Sequence, residues 1–302
     1  MLRSLSNDFI QALLATKFWA NIRQDNDLFP EIRRDAVTVY YRGAALIRDL
    51  RLRDGVLSGT THQKYIPIYP PPKPVVQLAL HEEDFHFAER VEGWPLRDAR
   101  PQILQAYKSR IKCVGGPEDA VIHALCCCTG NTIVDQEIKF QLSGDKTADK
   151  IDILSFDSAT STFCFVEVKQ IADVRLREGP DGLHEVASQL KLYSDRLRAQ
   201  ANSIRSGIEN IIRLKARLGL GHRITACHGV PVERLLAKPV LVIGGCSKQE
   251  VRDILQLRAP WASLMNSLQG VAAGLIVCGS DGTRLDLSDG RSRRWFDREL
   301  VT

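Results

Sequence analysis

The chain has 302 residues, of which 44% are hydrophobic and 25% are charged, and its formal net charge at pH 7 is +5. This composition indicates a globular protein with one large or two modest domains. No stretch approaches the roughly 18 apolar residues of a membrane span, and the interrupted amphipathic N-terminus does not resemble a signal peptide. We therefore expect a cytoplasmic protein without a membrane partner, and the mild positive charge favours a polyanionic one.

The eight cysteines contain no CxxC pair. Their placement in apolar patterns predicts buried, reduced thiols, as is usual in the cytoplasm, and not a disulfide framework. The spacing is also wrong for a structural zinc site.

The first part of the chain predicts a β-rich unit behind a short helix. Two segments alternate as half-buried strands do, 36–42 (AVTVYYR) and 46–53 (LIRDLRLR). The composition changes near residue 110, so we predict a β-rich N-terminal domain over 1–110 that recognises substrate or partner. The second predicted domain covers 111–302.

Regular alternation in the second of these strands has a definite consequence for its arginines. It places Arg48 on the same face as Leu50, and it places Arg51 and Arg53 on the opposite face. The following Asp54-Gly55 predicts a hairpin turn.

From residue 117 the patterns predict helices and strands in the order expected of an α/β layout with a central mixed sheet. A polar face is expected on the first of these strands at Asp135, Glu137 and Lys139. A basic tail at 291–298 (RSRRWFDR) suits either phosphate contact or a solvated end. The predicted elements are helix 117–129, strands 132–142, 150–156 and 163–170, a helical region 182–218 with a break near 203–207, strand 239–244, helical region 247–268 and strand 272–278.

The stretch KIDILSFDSATSTFCFVEVKQ, residues 150–170, carries charges inside apolar strands. If its two strands form a hairpin with Phe156 opposite Phe163, then Asp152 is opposite Glu167 on the same sheet face. Lys169 lies two residues further along and shares that face. Opposed carboxylates destabilise a sheet unless a counter-ion lies between them, and one or two carboxylates with waters and phosphate oxygens are a usual magnesium site.

Geometry alone leaves two interpretations open. The first is a metal site built by the two carboxylates. The second is a solvent-exposed pair of Glu167 and Lys169 at a strand end, with Asp152 neutralised by the same lysine. A shift of one residue in the pairing would also move Asp152 to the other face.

The residues nevertheless form a set that resembles the PD-(D/E)XK nuclease superfamily. They are Asp152 in KIDIL, Glu167-Val168-Lys169 in FVEVKQ, and Gln189 with Tyr193 in SQLKLY on the following helix. The helix–strand–strand–strand–helix–strand order over about 117–280 is also that of the family, whose fold is a restriction-endonuclease-like core with a mixed sheet flanked by helices. Ile151 stands where the family motif has proline.

The resemblance implies a role for each matching residue. Asp152, Glu167 and the carbonyl of Val168 would bind Mg²⁺, with Mn²⁺ as a substitute, and Lys169 would orient or activate the attacking water. Gln189 would contact water, a metal ligand or the backbone, whereas we expect mainly packing from Tyr193.

Many family members also carry an acidic residue on the first core helix. Glu118 occupies that place, although acidic residues are favoured in any first helical turn, and Asp119 competes for the role.

The resulting prediction is a Mg²⁺-dependent nuclease that hydrolyses phosphodiester bonds, with DNA a likelier substrate than RNA by analogy with the family. Restriction, phage defence and DNA repair are settings that suit it, and a homodimer or a partner protein bound through the N-terminal domain would be compatible. Two alternatives remain: a non-catalytic nucleic-acid-binding or assembly module on the same fold, and a soluble domain without a role on nucleic acid.

Overall fold

The computed structural model of the protein describes residues 3–65, 75–81, 84–87, 102–139, 150–279 and 293–301. Over these residues the chain forms eight α-helices and two β-sheets, which confirms the mixed α/β class. The helices are α1 (Asn7–Leu14), α2 (Lys17–Gln24), α3 (Gln102–Val114), α4 (Pro117–Cys127), α5 (Glu185–Ala199), α6 (Ala201–Arg217), α7 (Lys248–Leu255) and α8 (Trp261–Leu268). The strands are β1 (Phe29–Arg33), β2 (Ala36–Tyr41), β3 (Ala44–Arg53), β4 (Val56–His62), β5 (Val75–His81), β6 (Asp84–Phe87), β7 (Thr132–Lys139), β8 (Lys150–Asp157), β9 (Thr162–Gln170), β10 (Val240–Cys246), β11 (Gly274–Gly279) and β12 (Arg293–Trp295).

The chain divides into two compact units. The N-terminal unit comprises residues 2–123 and 213–222, and the C-terminal unit comprises 124–212 and 223–302. The sequence predicts a division near residue 110. In the structure the first segment of the N-terminal unit is longer and ends at residue 123, and residues 213–222, which include the end of α6, also belong to this unit.

The N-terminal unit is built on one antiparallel sheet whose described strands follow in chain order, β1 to β6. Asp54 and Gly55 join β3 to β4 with φ angles of 49° and 78°, the left-handed pair that a two-residue hairpin turn needs. The turn predicted there is therefore confirmed. Trp19 of α2 is fully buried in the core of this unit, and its indole nitrogen donates to the carbonyl oxygen of Leu218 at 2.9 Å.

Strand β3 does not alternate regularly, and the predicted placement of Arg48 on the face of Leu50 is wrong, whereas Arg51 and Arg53 lie on the opposite face as predicted. Arg48 pairs with Thr60, but the next pair is Arg51 with Ser58, so β3 has one more residue than β4 over this interval. Asp49 has a φ of 52° within it. This is a β-bulge, and because of it the Arg48 side chain lies on the opposite face of the strand from buried Leu50.

The C-terminal unit is built on a mixed sheet with the strand order β12-β11-β10-β9-β8-β7. Strands β7, β8 and β9 form an antiparallel meander, β10 and β11 run parallel to β9, and β12 runs antiparallel to β11. Parallel neighbours need long crossover connections, which here are α5 with α6 and α7 with α8. The core of this unit includes side chains of α5 and of the adjacent strands β8 and β9.

The hairpin of β8 and β9 has the predicted register. Phe156 pairs with Phe163, and the same register continues to Ile153 and Val166, where the paired residues end. The predicted pairing of Asp152 with Glu167, one residue further, is therefore not formed. The two phenylalanine rings lie 4.8 Å apart at their centroids, so their contact helps to fix the alignment.

Other details depart from the sequence prediction. The predicted polar face at Asp135 is wrong, because Asp135 is fully buried where β7 shifts register between residues 133 and 135. The predicted break at 203–207 is also wrong, since α6 continues through it and the interruption lies at Gln200.

Two further regions refine the prediction. The helical region 247–268 is two helices, and part of the basic tail forms edge strand β12. Phe140 and Leu142, predicted as the end of β7, lie outside the described residues.

Candidate active site

Three charged side chains of the hairpin are buried in the C-terminal unit. Asp152 lies on β8 with 9% of its surface exposed, and Glu167 and Lys169 lie on β9 with 2% each. Strand β9 pairs with β8 on one side and with β10 on the other, so its side chains are covered as those of a central strand are. These exposures exclude the prediction of a solvent-exposed glutamate–lysine pair.

Asp152 sits where the hairpin pairing stops. Beyond the pair of Ile153 and Val166, the amide of Val168 donates to Asp152 Oδ2 at 2.8 Å. Burial raises the pKa of the Asp152 carboxyl above its ordinary value, and the charge of Lys169, the Val168 amide and the charge of Lys150 oppose that effect. The carboxylate thus takes the place of a strand partner at a point where the sheet opens.

Glu167 and Lys169 form an ion pair through Oε1 and Nζ. The same ammonium group donates to the carbonyl oxygen of Val168 at 2.9 Å. Gln189 of α5 donates its side-chain amide to Glu167 Oε1 at 2.9 Å. The glutamate oxygen is therefore held by two donors from different elements.

Helix α5 adds a second layer of hydrogen bonds. Gln189 Nε2 also donates to the Tyr193 hydroxyl at 2.8 Å, which confirms that these two residues share a helical face. Tyr193 is 1% exposed, and its hydroxyl donates to the backbone oxygen of Lys150 at 2.6 Å. Tyr193 therefore both packs in the core and links the helix to the start of β8.

One pair near the cluster was not identified from the sequence. Asp173, in the loop after β9, accepts from Arg175 Nε at 2.9 Å and from Arg175 Nη2 at 2.5 Å. Burial acts to raise the pKa of Asp173, but the Arg175 hydrogen bonds and the charges of Arg175 and Lys169 outweigh it and lower the pKa. The positive charge of Arg175 also acts to lower the pKa of the Asp152 carboxyl. The Asp-Val-Arg sequence in the loop after the strand was the available signal, since aspartate often binds the backbone two residues later.

The donor set fits a hard divalent cation. Asp152 and Glu167 supply two buried carboxylate groups, and Mg²⁺ binds carboxylate oxygens together with waters. The carbonyl of Val168, predicted as a third ligand, already accepts a hydrogen bond from Lys169. Its role as a ligand stays a prediction.

Four of the predicted site residues, Asp152, Glu167, Lys169 and Gln189, come together in the C-terminal unit. Glu118 lies in the first turn of α4, is half-buried, and belongs to the N-terminal unit. Its catalytic role stays a prediction.

Comparison with protein-family models, with curated proteins and with solved structures found no match to this chain. Within the described residues, no helix is both long and apolar enough to cross a membrane.

Proposed function

We propose that this protein is a metal-dependent nuclease of the PD-(D/E)XK type that hydrolyses phosphodiester bonds in nucleic acid. The observation that carries the proposal is the burial of Asp152, Glu167 and Lys169 together at the opened end of a β-hairpin. Burying three charged groups costs free energy, and perturbed, clustered titratable groups are typical of catalytic sites.

The order of elements supports the same proposal. A helix, the meander β7-β8-β9, the α5–α6 crossover and the parallel strand β10 follow one another. The order resembles that of a restriction-endonuclease-like core, and the carboxylates and the lysine lie on β8 and β9, the middle strands of the β7-β8-β9-β10 part of the sheet.

Each residue has a chemical task in the proposed reaction. A magnesium ion held by Asp152 and Glu167 would polarise the phosphoryl oxygen and lower the pKa of a water molecule. Lys169 orients that water and offsets phosphate charge. Gln189 keeps the Glu167 carboxylate in one orientation. Water attacks phosphorus, the bond to one ester oxygen breaks, and that oxygen receives a proton.

We further propose DNA as the preferred substrate, because most nucleases of this type act on DNA. Restriction, phage defence and DNA repair all require such cleavage. A homodimer or a partner protein bound through the N-terminal unit is compatible with the proposal.

The proposal is tested by incubating the protein with labelled DNA and RNA in Mg²⁺, in Mn²⁺ and in chelator. Wild type should cleave only with metal, and Asp152→Ala and Lys169→Ala should not cleave. Gln189→Ala should keep cleavage that is about 10–100-fold slower, the usual effect of removing a hydrogen-bond partner of a metal ligand. Asp195→Ala is the matched control, because Asp195 is an exposed acid on the same helix.

Two outcomes would contradict the proposal. Cleavage that survives both alanine variants would place the active site elsewhere. Salt-sensitive binding without cleavage by wild type would instead favour the non-catalytic binding module.

A further inference from the structure

The bulge in β3 changes which residues share a face of the N-terminal sheet. Arg48 is opposite Thr60, Arg51 is opposite Ser58, and opposed residues of an antiparallel pair point to the same side. Since Ser58 and Thr60 are two residues apart on β4, both arginines lie on one face. Without the extra residue, they would lie on opposite faces.

Arg53, opposite Val56, lies on the same side. We call Arg48, Arg51 and Arg53 the arginine face. This side of the hairpin faces solvent: Arg48 and Arg53 are exposed, and 38% of the Arg51 side chain is exposed. The other side is closed, because Leu50 and Leu57 are buried in the core of the unit.

Close packing opposite the bulge holds this geometry. A side chain at Gly59 would approach the Arg48 carbonyl oxygen and the Ile47 side chain to 3.1 Å each. Glycine is therefore the residue that lets β4 approach the widened part of β3.

More positive charge lies at the end of β4. Lys64 is exposed, and its backbone oxygen accepts from the side chain of exposed Arg110 at 3.1 Å. The pKa of His62 is lowered by burial and by the charges of Lys64 and Arg48. Positive charge from both Arg48 and Lys64 therefore reaches His62, at the end of β4.

Little in the described part of the chain neutralises the arginine face. Arg51 Nη2 lies 3.7 Å from Asp49 Oδ1, which is beyond a hydrogen bond, and Arg51 Nε is buried without a hydrogen-bond partner among the described residues. No ion pair of Arg48 or Arg53 occurs among the described residues.

We propose that the arginine face binds the phosphodiester backbone of nucleic acid. Guanidinium groups form bidentate hydrogen bonds with phosphate oxygens. A row of cations on an exposed strand also suits a polyanion whose charges are regularly spaced. The inference goes beyond the proposed cleavage, because it assigns a second nucleic-acid contact to the N-terminal unit, and it does not require catalysis.

The test measures binding of a fluorescein-labelled DNA duplex, and of an RNA duplex with the same sequence, by the full-length Asp152→Ala protein over a series of salt concentrations. The variant replaces all three residues of the arginine face by glutamine. Each phosphate contact contributes about 0.9 to the slope of log K against log salt for duplex DNA. Loss of three contacts should therefore make the slope less steep by about 3.

The matched control replaces three exposed cations elsewhere, Arg34, Lys112 and Arg252, by glutamine, which changes the net charge equally. We expect the control to keep nearly the parent slope and affinity. Weakened binding to only one of the two duplexes identifies which polymer the arginine face prefers and supports the inference.

The inference is overturned if the arginine-face variant binds both duplexes with the same slope as the control, or if the parent binds neither. Failure of the nuclease proposal would look different. In that case wild type would not cleave in Mg²⁺, while the arginine-face variant would still bind more weakly than the control.

Discussion

Replacing Asp152 by asparagine should stabilise the metal-free protein. Asparagine keeps an oxygen that can accept from the Val168 amide, the 2.8 Å bond of the wild type, but it removes a buried negative charge. Burial raises the pKa of Asp152, so the ionised form is costly at neutral pH. Removing a charge whose burial is unfavourable relieves that cost, and single stabilising substitutions typically contribute about 0.5–2 kcal/mol, so we expect about 1–2 kcal/mol here.

Magnesium should reverse the order of stability. An ion bound only by the folded wild type adds about 2.7 kcal/mol when its concentration is a hundred times the dissociation constant. Asp152→Asn lacks one of the two carboxylates and should gain far less. In chelator the variant should therefore be the more stable protein, and in Mg²⁺ the wild type should be.

The assay is thermal or urea unfolding of both proteins in chelator and in Mg²⁺. Asp157→Asn is the matched control, because Asp157 lies on the same strand and its carboxylate is 3.7 Å from Arg293. Its effect should be the same in both media. The reasoning is refuted if Asp152→Asn is no more stable than wild type in chelator, or if both proteins gain equally from Mg²⁺.

Three further predictions concern stability. Ser247→Ala removes the capping box that Ser247 forms with Glu250 at the start of α7 and should lower the free energy of unfolding by about 1 kcal/mol in urea titrations. Gly274→Ala would bring a methyl group to 2.8 Å from the Trp295 ring and should cost about 1–3 kcal/mol in the same measurement. Burial lowers the pKa of His123 to about 4, so below pH 6.5 the unfolded chain takes up a proton that the folded protein does not. Stability should fall by roughly 2 kcal/mol between pH 6.5 and 4, after allowance for partial exposure, and His123→Gln should remove much of that fall.

Control variants separate these effects from general damage. Ser188→Ala changes an exposed serine on α5, and Gly116→Ala meets no atom closer than 3.6 Å, so both should stay within about 0.5 kcal/mol of wild type. An equal loss in a variant and its control would contradict the reason given for that variant. A pH dependence that is unchanged in His123→Gln would exclude that histidine as the cause.

The hairpin could be predicted because its own residues determine it. Phe156 and Phe163 fix the register, and the polar loop between the strands marks the turn. That register, extended by one residue, predicts Asp152 opposite Glu167, but in the structure the paired residues end one position earlier and Asp152 accepts from the Val168 amide. Burial could not be predicted in the same way, because the elements that cover a strand are distant in sequence.

The errors have a common physical cause. Alternation in sequence predicts faces only while a strand stays regular, and a single extra residue reverses every face beyond it. Asp49 adopts a left-handed conformation without a glycine to signal it, and Asp135 is buried beside a register shift. The pair of Asp173 and Arg175 lies in a loop, where no periodicity exists to read.

The most direct test of the central claim is the rate at which the purified protein cleaves labelled DNA in Mg²⁺, compared with Glu167→Gln. Glutamine keeps the size of Glu167 and an acceptor for Lys169 and Gln189, so that the fold is preserved. We predict cleavage by wild type that stops in chelator and is absent in the variant. Equal cleavage by both proteins, or none by wild type with either DNA or RNA, would contradict the account.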